Sequence, residues 1–302
     1  MPPPFRIAAI GELLWDLLPT GPQLGGAPAN FASMSAHLAA LESPRTSDEI
    51  FLISRVGNDA LGRQAVEQFT ARSINLDHIS IDTRYPTGTV TVALQPNGNP
   101  TYTIHENAAW DSIPHTPQLL TLAPTLAAVC FGTLAQRSNE TRATLRRFVA
   151  STSLHCVRVF DVNLRDPYWS PESLRWGCSH ATVLKMNHEE VPHLAAALDA
   201  PPQSRSPHTL AQFVLDTFPV ELVAITRGAE GSLLVTLETI HQHPGIPVQV
   251  ADSIGAGDAF TAAITRALLL HQPLPAIAEF ANRWGAWVAT QHGGMPSPIP
   301  TP

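Results

Sequence analysis

Ala251-Asp252-Ser253-Ile254-Gly255-Ala256-Gly257-Asp258-Ala259-Phe260 is followed at once by a helical run from Thr261 to Leu270. Glycines at 255 and 257 let the backbone turn tightly and set consecutive N–H groups at the head of that helix, where they favour a bound phosphate. Asp258 stands beside those donors. A carboxylate there can take the proton of a hydroxyl as its oxygen attacks phosphorus, a role worth roughly 10² to 10⁴ in rate. The amides of Gly255, Ala256 and Gly257 can hold the charge that develops on the transferred group, a further 10² or so by analogy with other anion holes. A plain glycine turn with Asp258 capping the helix accounts for the same residues. The stretch is no P-loop, which ends in Gly-Lys-Ser/Thr, and Phe260 stands where a dinucleotide fingerprint needs its third glycine.

Working outward, short apolar runs each followed by a helix-like stretch recur at Arg6 to Ile10, Ala127 to Phe131, Val157 to Val162, Thr182 to Met186 and Leu222 to Thr226. That rhythm predicts an α/β protein with a mostly parallel sheet covered by helices on both faces. Ligands then gather at the carboxyl ends of the strands. One region departs from it. Thr87 to Leu94 alternates like a half-exposed strand, Pro96-Asn97-Gly98-Asn99 supplies a turn, and Thr101 to His105 returns as a second strand. With the apolar stretch Glu12 to Leu18, whose pairing stays open, this hairpin makes a small β lid. The division expected is an α/β core at 1–11, 25–84 and 111–302 and a lid at 12–24 and 85–110. Glu42 to Glu49 reads as an exposed loop.

A second glycine cluster, Gly25-Gly26-Ala27-Pro28-Ala29-Asn30, follows Asp16. Paired glycines permit close approach to a ligand, while Asp16 and Asn30 offer an acceptor and an amide that fix hydroxyl directions on a sugar. A simple turn with Asn30 opening a helix serves nearly as well. Together the two clusters resemble the ribokinase, or PfkB, family of carbohydrate kinases. The first cluster along the chain is similar to its Gly-Gly motif and the later one to its Gly-Ala-Gly-Asp motif, and the likeness extends over essentially the whole chain.

The resemblance implies a ribokinase-like three-layer α/β/α fold with a β lid, Asp258 as catalytic base, and an anion hole from Gly255, Ala256 and Gly257. It assigns sugar binding to Asp16, Gly25, Gly26 and Asn30. Lys185-Met186-Asn187-His188-Glu189-Glu190 looks like the family's Asn-x-x-Glu element, which puts Asn187 and Glu190 near the ATP phosphates and the water shell of Mg²⁺. Lys185 is the only lysine in the protein and offers a compact ammonium to phosphate, or is a surface lysine. Thr226, Gly228 and Gly231 are similar to the turn that the family brings up to ATP, and Asn282 falls where it packs the adenine. Asp252 and the carbonyls of Ile254, Val288 and Gly293, with Ser297, overlie a loop that holds K⁺ in many members. The tail His292-Gly293-Gly294-Met295 departs from the commoner Gly-Ala pairing there. Because lid strands of that family often pair between subunits, the resemblance also allows a homodimer.

Gly11-Glu12-Leu13-Leu14-Trp15-Asp16 and Leu24-Gly25-Gly26-Ala27-Pro28-Ala29-Asn30-Phe31 look like the opening of bacterial fructokinases. Asn163 and Arg165, in Asp161-Val162-Asn163-Leu164-Arg165, have the same flavour and would reach the sugar from a strand end. An arginine there could equally grip a carboxylate. Fructose phosphorylation is therefore the expectation, 2-keto-3-deoxygluconate kinase the alternative, and a catalytically silent sugar sensor the reading from another class.

Charge and composition agree with a small-molecule enzyme. A net charge of -7 argues against a general nucleic-acid binder. Cys130, Cys156 and Cys178 suggest neither a disulfide framework nor a zinc knuckle. No secretory leader or long apolar span is recognised, so a cytoplasmic protein without membrane attachment is expected. His241-Gln242-His243 lacks a third ligand at recognisable spacing and reads as a solvated loop.

Overall fold

The computed structural model describes residues 4–18, 21–41, 48–94 and 100–296. In these, the strands are β1 (Arg6–Ile10), β2 (Leu14–Leu18), β3 (Gly21–Gly25), β4 (Glu49–Gly57), β5 (Ile79–Asp82), β6 (Gly88–Leu94), β7 (Pro100–Ile104), β8 (Ala128–Gly132), β9 (Val157–Asp161), β10 (Val183–Asn187), β11 (Leu222–Thr226), β12 (Ser232–Val235) and β13 (Ile240–His243). The helices are α1 (Ala27–Leu41), α2 (Ala60–Thr70), α3 (Pro117–Leu122), α4 (Asn139–Ala150), α5 (Pro171–His180), α6 (Val191–Ala197), α7 (Pro207–Thr217), α8 (Ala256–Leu269) and α9 (Leu274–Ala289).

Side chains alternate across a strand, so an apolar run with both faces buried needs a helical layer on each side. β1 shows this directly. Ala8 and Ile10 enter one core with Leu145, Phe148, Leu194 and Val214, from α4, α6 and α7. Ile7 and Ala9 enter the other with Phe31, Phe69, Phe260 and Trp284, from α1, α2, α8 and α9. The sheet between these layers runs β13-β12-β11-β10-β9-β8-β1-β4-β5. Its pairs are parallel except β11–β12 and β12–β13.

Many prolines prove to be helix starters as well as loop markers. Thr116-Pro117, Ser170-Pro171 and Ser206-Pro207 each place a hydroxyl that accepts a backbone N–H from the first turn, with proline at the first helical position. Proline lacks the N–H that would be unsatisfied there.

The small sheet runs β3-β2-β6-β7 and buries Leu14, Val90 and Val92. Strand β2, whose partner the sequence does not fix, pairs antiparallel with β3 and parallel with β6. β3 adds a strand that the expected lid lacked. Two other expectations are corrected. Glu49 begins β4 instead of closing a loop, and His243 is a buried residue ending β13, not part of a solvated loop. Residues 42–47 and the turn Pro96–Asn99 lie outside the described residues. Among the described residues no helix is long and apolar enough to cross a membrane.

Helix α5 lies so close to β9 that a Cβ on Gly177 would come within 2.2–2.5 Å of the Phe160 ring. Gly177→Ala should therefore cost about 1–3 kcal/mol through overpacking, read as a lower urea midpoint. An unchanged midpoint would show that α5 can slide away from the sheet.

Candidate active site

A lysine within a strand buried on both faces must find an opposite charge, because an unpaired ammonium there is costly. Lys185, in β10, finds Asp161 at the end of β9, with Nζ at 3.0 and 3.1 Å from its two oxygens. Thr261 Oγ1 donates to Asp161 Oδ2 at 3.0 Å. The ammonium lies beneath the first turn of α8, since a Cβ on Gly257 would stand 3.0 Å from Nζ. Burial opposes the charge on Lys185, yet Asp161, Glu190 and Asp258 outweigh it and hold its pKa above the usual lysine value.

Asp258 sits in that first turn. Gly255, at a left-handed φ of 76°, precedes the helix with no side-chain cap, so Asp258 is not the capping residue. The space permits no side chain at 255 either, because a Cβ would lie 2.4 Å from Gly294 Cα. Asp258 Oδ2 instead accepts a hydrogen bond of 2.7 Å from Asn30 Nδ2 on α1. Burial raises the Asp258 pKa to about 6, with Asp161 adding to it and Lys185, Asn30 and Arg165 opposing.

The other glycine cluster meets this one. Gly26, at φ 105°, lies against the backbone of Glu12, where a Cβ would be 2.4 Å from the carbonyl oxygen. Glu12 and Asp258 line one small cavity with Asp161, Asn163 and Thr261. Asn163 carries a left-handed φ of 36°, unusual for a residue other than glycine, as the chain leaves β9. Asp16 on β2 packs against Gly25, and burial raises its pKa to about 6 against the charge of Arg165. Arg165 is exposed, and its charge acts on Glu12, Asp16 and Asp258 alike.

Asn187 and Glu190 form a reciprocal capping box. Asn187 Oδ1 accepts from the Glu190 N–H at 3.0 Å and Glu190 Oε2 from the Asn187 N–H at 2.8 Å. Glu190 Oε1 also accepts from the Leu164 N–H at 2.7 Å, which links this element to the loop carrying Asn163 and Arg165. Burial raises the Glu190 pKa against the pull of Lys185. Thr226 pairs with Asn187 across β10 and β11, and Gly228 and Gly231 turn the chain just beyond at φ 57° and 79°.

Asn282 is set apart. Its amide donates to Ser232 Oγ at 2.7 Å and to the Ala278 carbonyl at 2.8 Å, so it locks α9 onto β12. Asp252 accepts from the N–H groups of Ile254 and Gly293, drawing the segment before α8 to the one after α9. The Val288 carbonyl accepts from the Gln291 N–H, and Ser297 lies outside the described residues. Among the described residues no three His, Cys, Asp or Glu side chains are grouped to hold a metal ion.

The sequence alone assigns no role to Glu12, Asp161 or Thr261. Lys185 itself was the available signal for Asp161, because a strand lysine calls for a carboxylate at a neighbouring strand.

Together the sheet, its two helical layers and the small sheet are ribokinase-like in fold. The sequence pattern of the pfkB family carbohydrate kinases matches residues 21–302, and the chain belongs to that family. An uncharacterized sugar kinase of Pyrococcus horikoshii is 27% identical over 311 residues, covering 97% of this chain and 92% of its own. Its crystal structure superimposes with a TM-score of 0.80, over 96% and 93% of the two chains. A fructokinase of Escherichia coli is 26% identical over 310 residues, covering 96% and 95% of the two chains. A fructokinase of Vibrio cholerae, solved with fructose, ADP and calcium, is 25% identical with a TM-score of 0.78, covering 96% and 94%.

Glu12 gives the site a measurable cost. Burial, with Asp258 nearby, raises its pKa from 4.5 to about 7. The folded protein thus keeps a proton that the unfolded chain has released, a displacement worth roughly 3 kcal/mol against folding above pH 7 and nothing below pH 4.5. Glu12→Gln should melt above the wild type at pH 8, and the gap should close as pH falls toward 4.5. Equal melting at pH 8 would show that Glu12 carries no such penalty.

Proposed function

We propose that this sugar kinase transfers the γ-phosphoryl group of ATP to a hydroxyl of fructose, giving fructose 6-phosphate. The observation that carries this is Asp258, half-buried in the first turn of α8 beside the backbone amides of Gly255 and Gly257 and aligned by Asn30 at 2.7 Å. In this reading Asp258 accepts the proton of the attacking hydroxyl, and Gly255, Ala256 and Gly257 hold the negative charge on the transferred group. Gly25, Gly26, Asp16, Asn163 and Arg165 orient the sugar. Asn30 acts mainly by holding Asp258, because its amide is engaged there. Lys185 acts from beneath the helix head through the field of its ammonium.

Thr226, Gly228, Gly231 and Asn187 border the nucleotide at the ends of β10 and β11. Asn282 serves them by fixing α9 behind. Mg²⁺ arrives with the nucleotide and would neutralise its phosphates. Glu190 fits a role through metal-bound water, since both its oxygens already accept backbone N–H groups. The small sheet would close over the sugar and keep water from the phosphoryl group.

Charge favours a neutral sugar over an acid. Glu12, Asp16 and Asp258 face the exposed Arg165, so a sugar carboxylate would enter a site already rich in carboxyl groups. The relatives named fructokinase support the same choice.

ADP release from Mg·ATP tests this with fructose, 2-keto-3-deoxygluconate, ribose, glucose and adenosine, in K⁺ and in a salt without it. Fructose should give the highest kcat/KM, and Asp258→Asn should lower kcat by roughly 10² to 10⁴ while sugar binding survives. Turnover on another member of the panel replaces the sugar and keeps the chemistry. Sugar binding without turnover would favour a sensor.

A further inference from the structure

Glu12 is almost wholly buried, yet its Oε2 has no hydrogen-bond partner among the described residues. A buried oxygen left unpaired costs about 1–3 kcal/mol, and a glutamine or methionine would fill the same space without a charge. The orphan oxygen belongs to a side chain that shares a cavity of about 10 Å³ with Asp258, which is room for one water molecule. Every other ionisable group facing that space is already committed or inert. Asp161 from β9 is paired with Lys185, and burial lifts the Cys130 thiol of β8 well above its ordinary range. From α1 the lining is apolar. Arg165 acts on Glu12 through its charge.

We infer that Glu12 is a second carboxyl of the phosphoryl-transfer site, a positioning residue that takes the substrate proton from Asp258 across their shared cavity. The inference rests on Asp258 being the base. As the sugar oxygen bonds to phosphorus, its O–H bond breaks and the proton goes to Asp258. The bond from phosphorus to the bridging oxygen breaks, and its electron pair leaves with ADP. In the same step a proton passes from Asp258 through a water in the cavity to Glu12, so the transition state needs both carboxyl groups ionised and the Asp258 carboxylate is restored within the closed site. Burial raises both carboxyl groups above their ordinary range, so a proton can be exchanged between them.

For the relay to work, both carboxyl groups must be ionised before the sugar reacts, and the pair loses its protons as a coupled unit. The single-turnover rate of sugar phosphorylation, measured at saturating sugar and Mg·ATP from pH 4.5 to 9, reads this directly. The acid limb of log rate against pH should approach a slope of two in the wild type. In Glu12→Gln it should fall by one, with the rate at pH 8 lowered about ten-fold, less than the roughly 10² to 10⁴ of a base that touches substrate. Glu12→Asp, which keeps a carboxyl, should retain the steeper limb. Asp16 ionises in the same range, so the change of slope on mutating Glu12 is the deciding quantity. A wild-type slope of one overturns the inference with no variant needed, and so does an unchanged slope in Glu12→Gln. If Asp258→Asn keeps its turnover, the base assignment itself has failed. If that variant is inactive while the Glu12→Gln limb matches the wild type, only the relay has failed.

Discussion

The ion pair between Lys185 and Asp161 is the constraint on which the site depends. Buried pairs of this kind add little net stability, because the desolvation of two charges offsets most of their attraction. Their value is positional. One partner removed leaves a bare charge in the core, so β9, β10 and the head of α8 are obliged to stay together. The amides at residues 255–257 are aimed by that arrangement, and Asp258 inherits its place from it.

From there the constraint spreads in two directions. Asn30 draws α1 to Asp258, so the glycine turn at 25–26 is brought to the same point as the turn at 255–257. Glu190 spans β10 and the loop after β9, so a movement at the end of β10 is felt by the loop that carries Asn163 and Arg165. The result is a site in which two buried oxygens, Glu12 Oε2 and Asn30 Oδ1, have no hydrogen-bond partner among the described residues. Carboxyl groups held near neutrality by burial are a usual means of running acid and base chemistry in one place.

Much of the fold was legible because β1, β8, β9, β10 and β11 are short, mostly apolar runs, each bounded by polar or helix-like stretches. β4 was harder to see because Ser54 and Arg55 interrupt it, and β13 because half its side chains face solvent. The loop before α8 was readable because two glycines two residues apart, followed by an acidic residue, have a local physical meaning. Glu12 and Asp161 had none. What distinguishes them is burial and the identity of a partner, and neither is a property of neighbouring residues. The same limit applies to Asn30 and Asn282, whose amides are claimed by Asp258 and Ser232 from far along the chain.

The bond between Asn30 and Asp258 joins positions 228 residues apart. A ribosome adding about 5–20 residues per second takes roughly ten to fifty seconds to make that span. Through that interval α1 has β1, β4 and β8 to pack on but no α8 to lie against, and the side of Phe31, Met34 and Leu38 that α8 will cover stays open. A nascent chain therefore carries a sticky apolar helix long before any part of it can bind or react. The arrangement that makes the finished site stiff also makes its synthesis the most exposed period of the protein's life, and the one in which a chaperone has most to do.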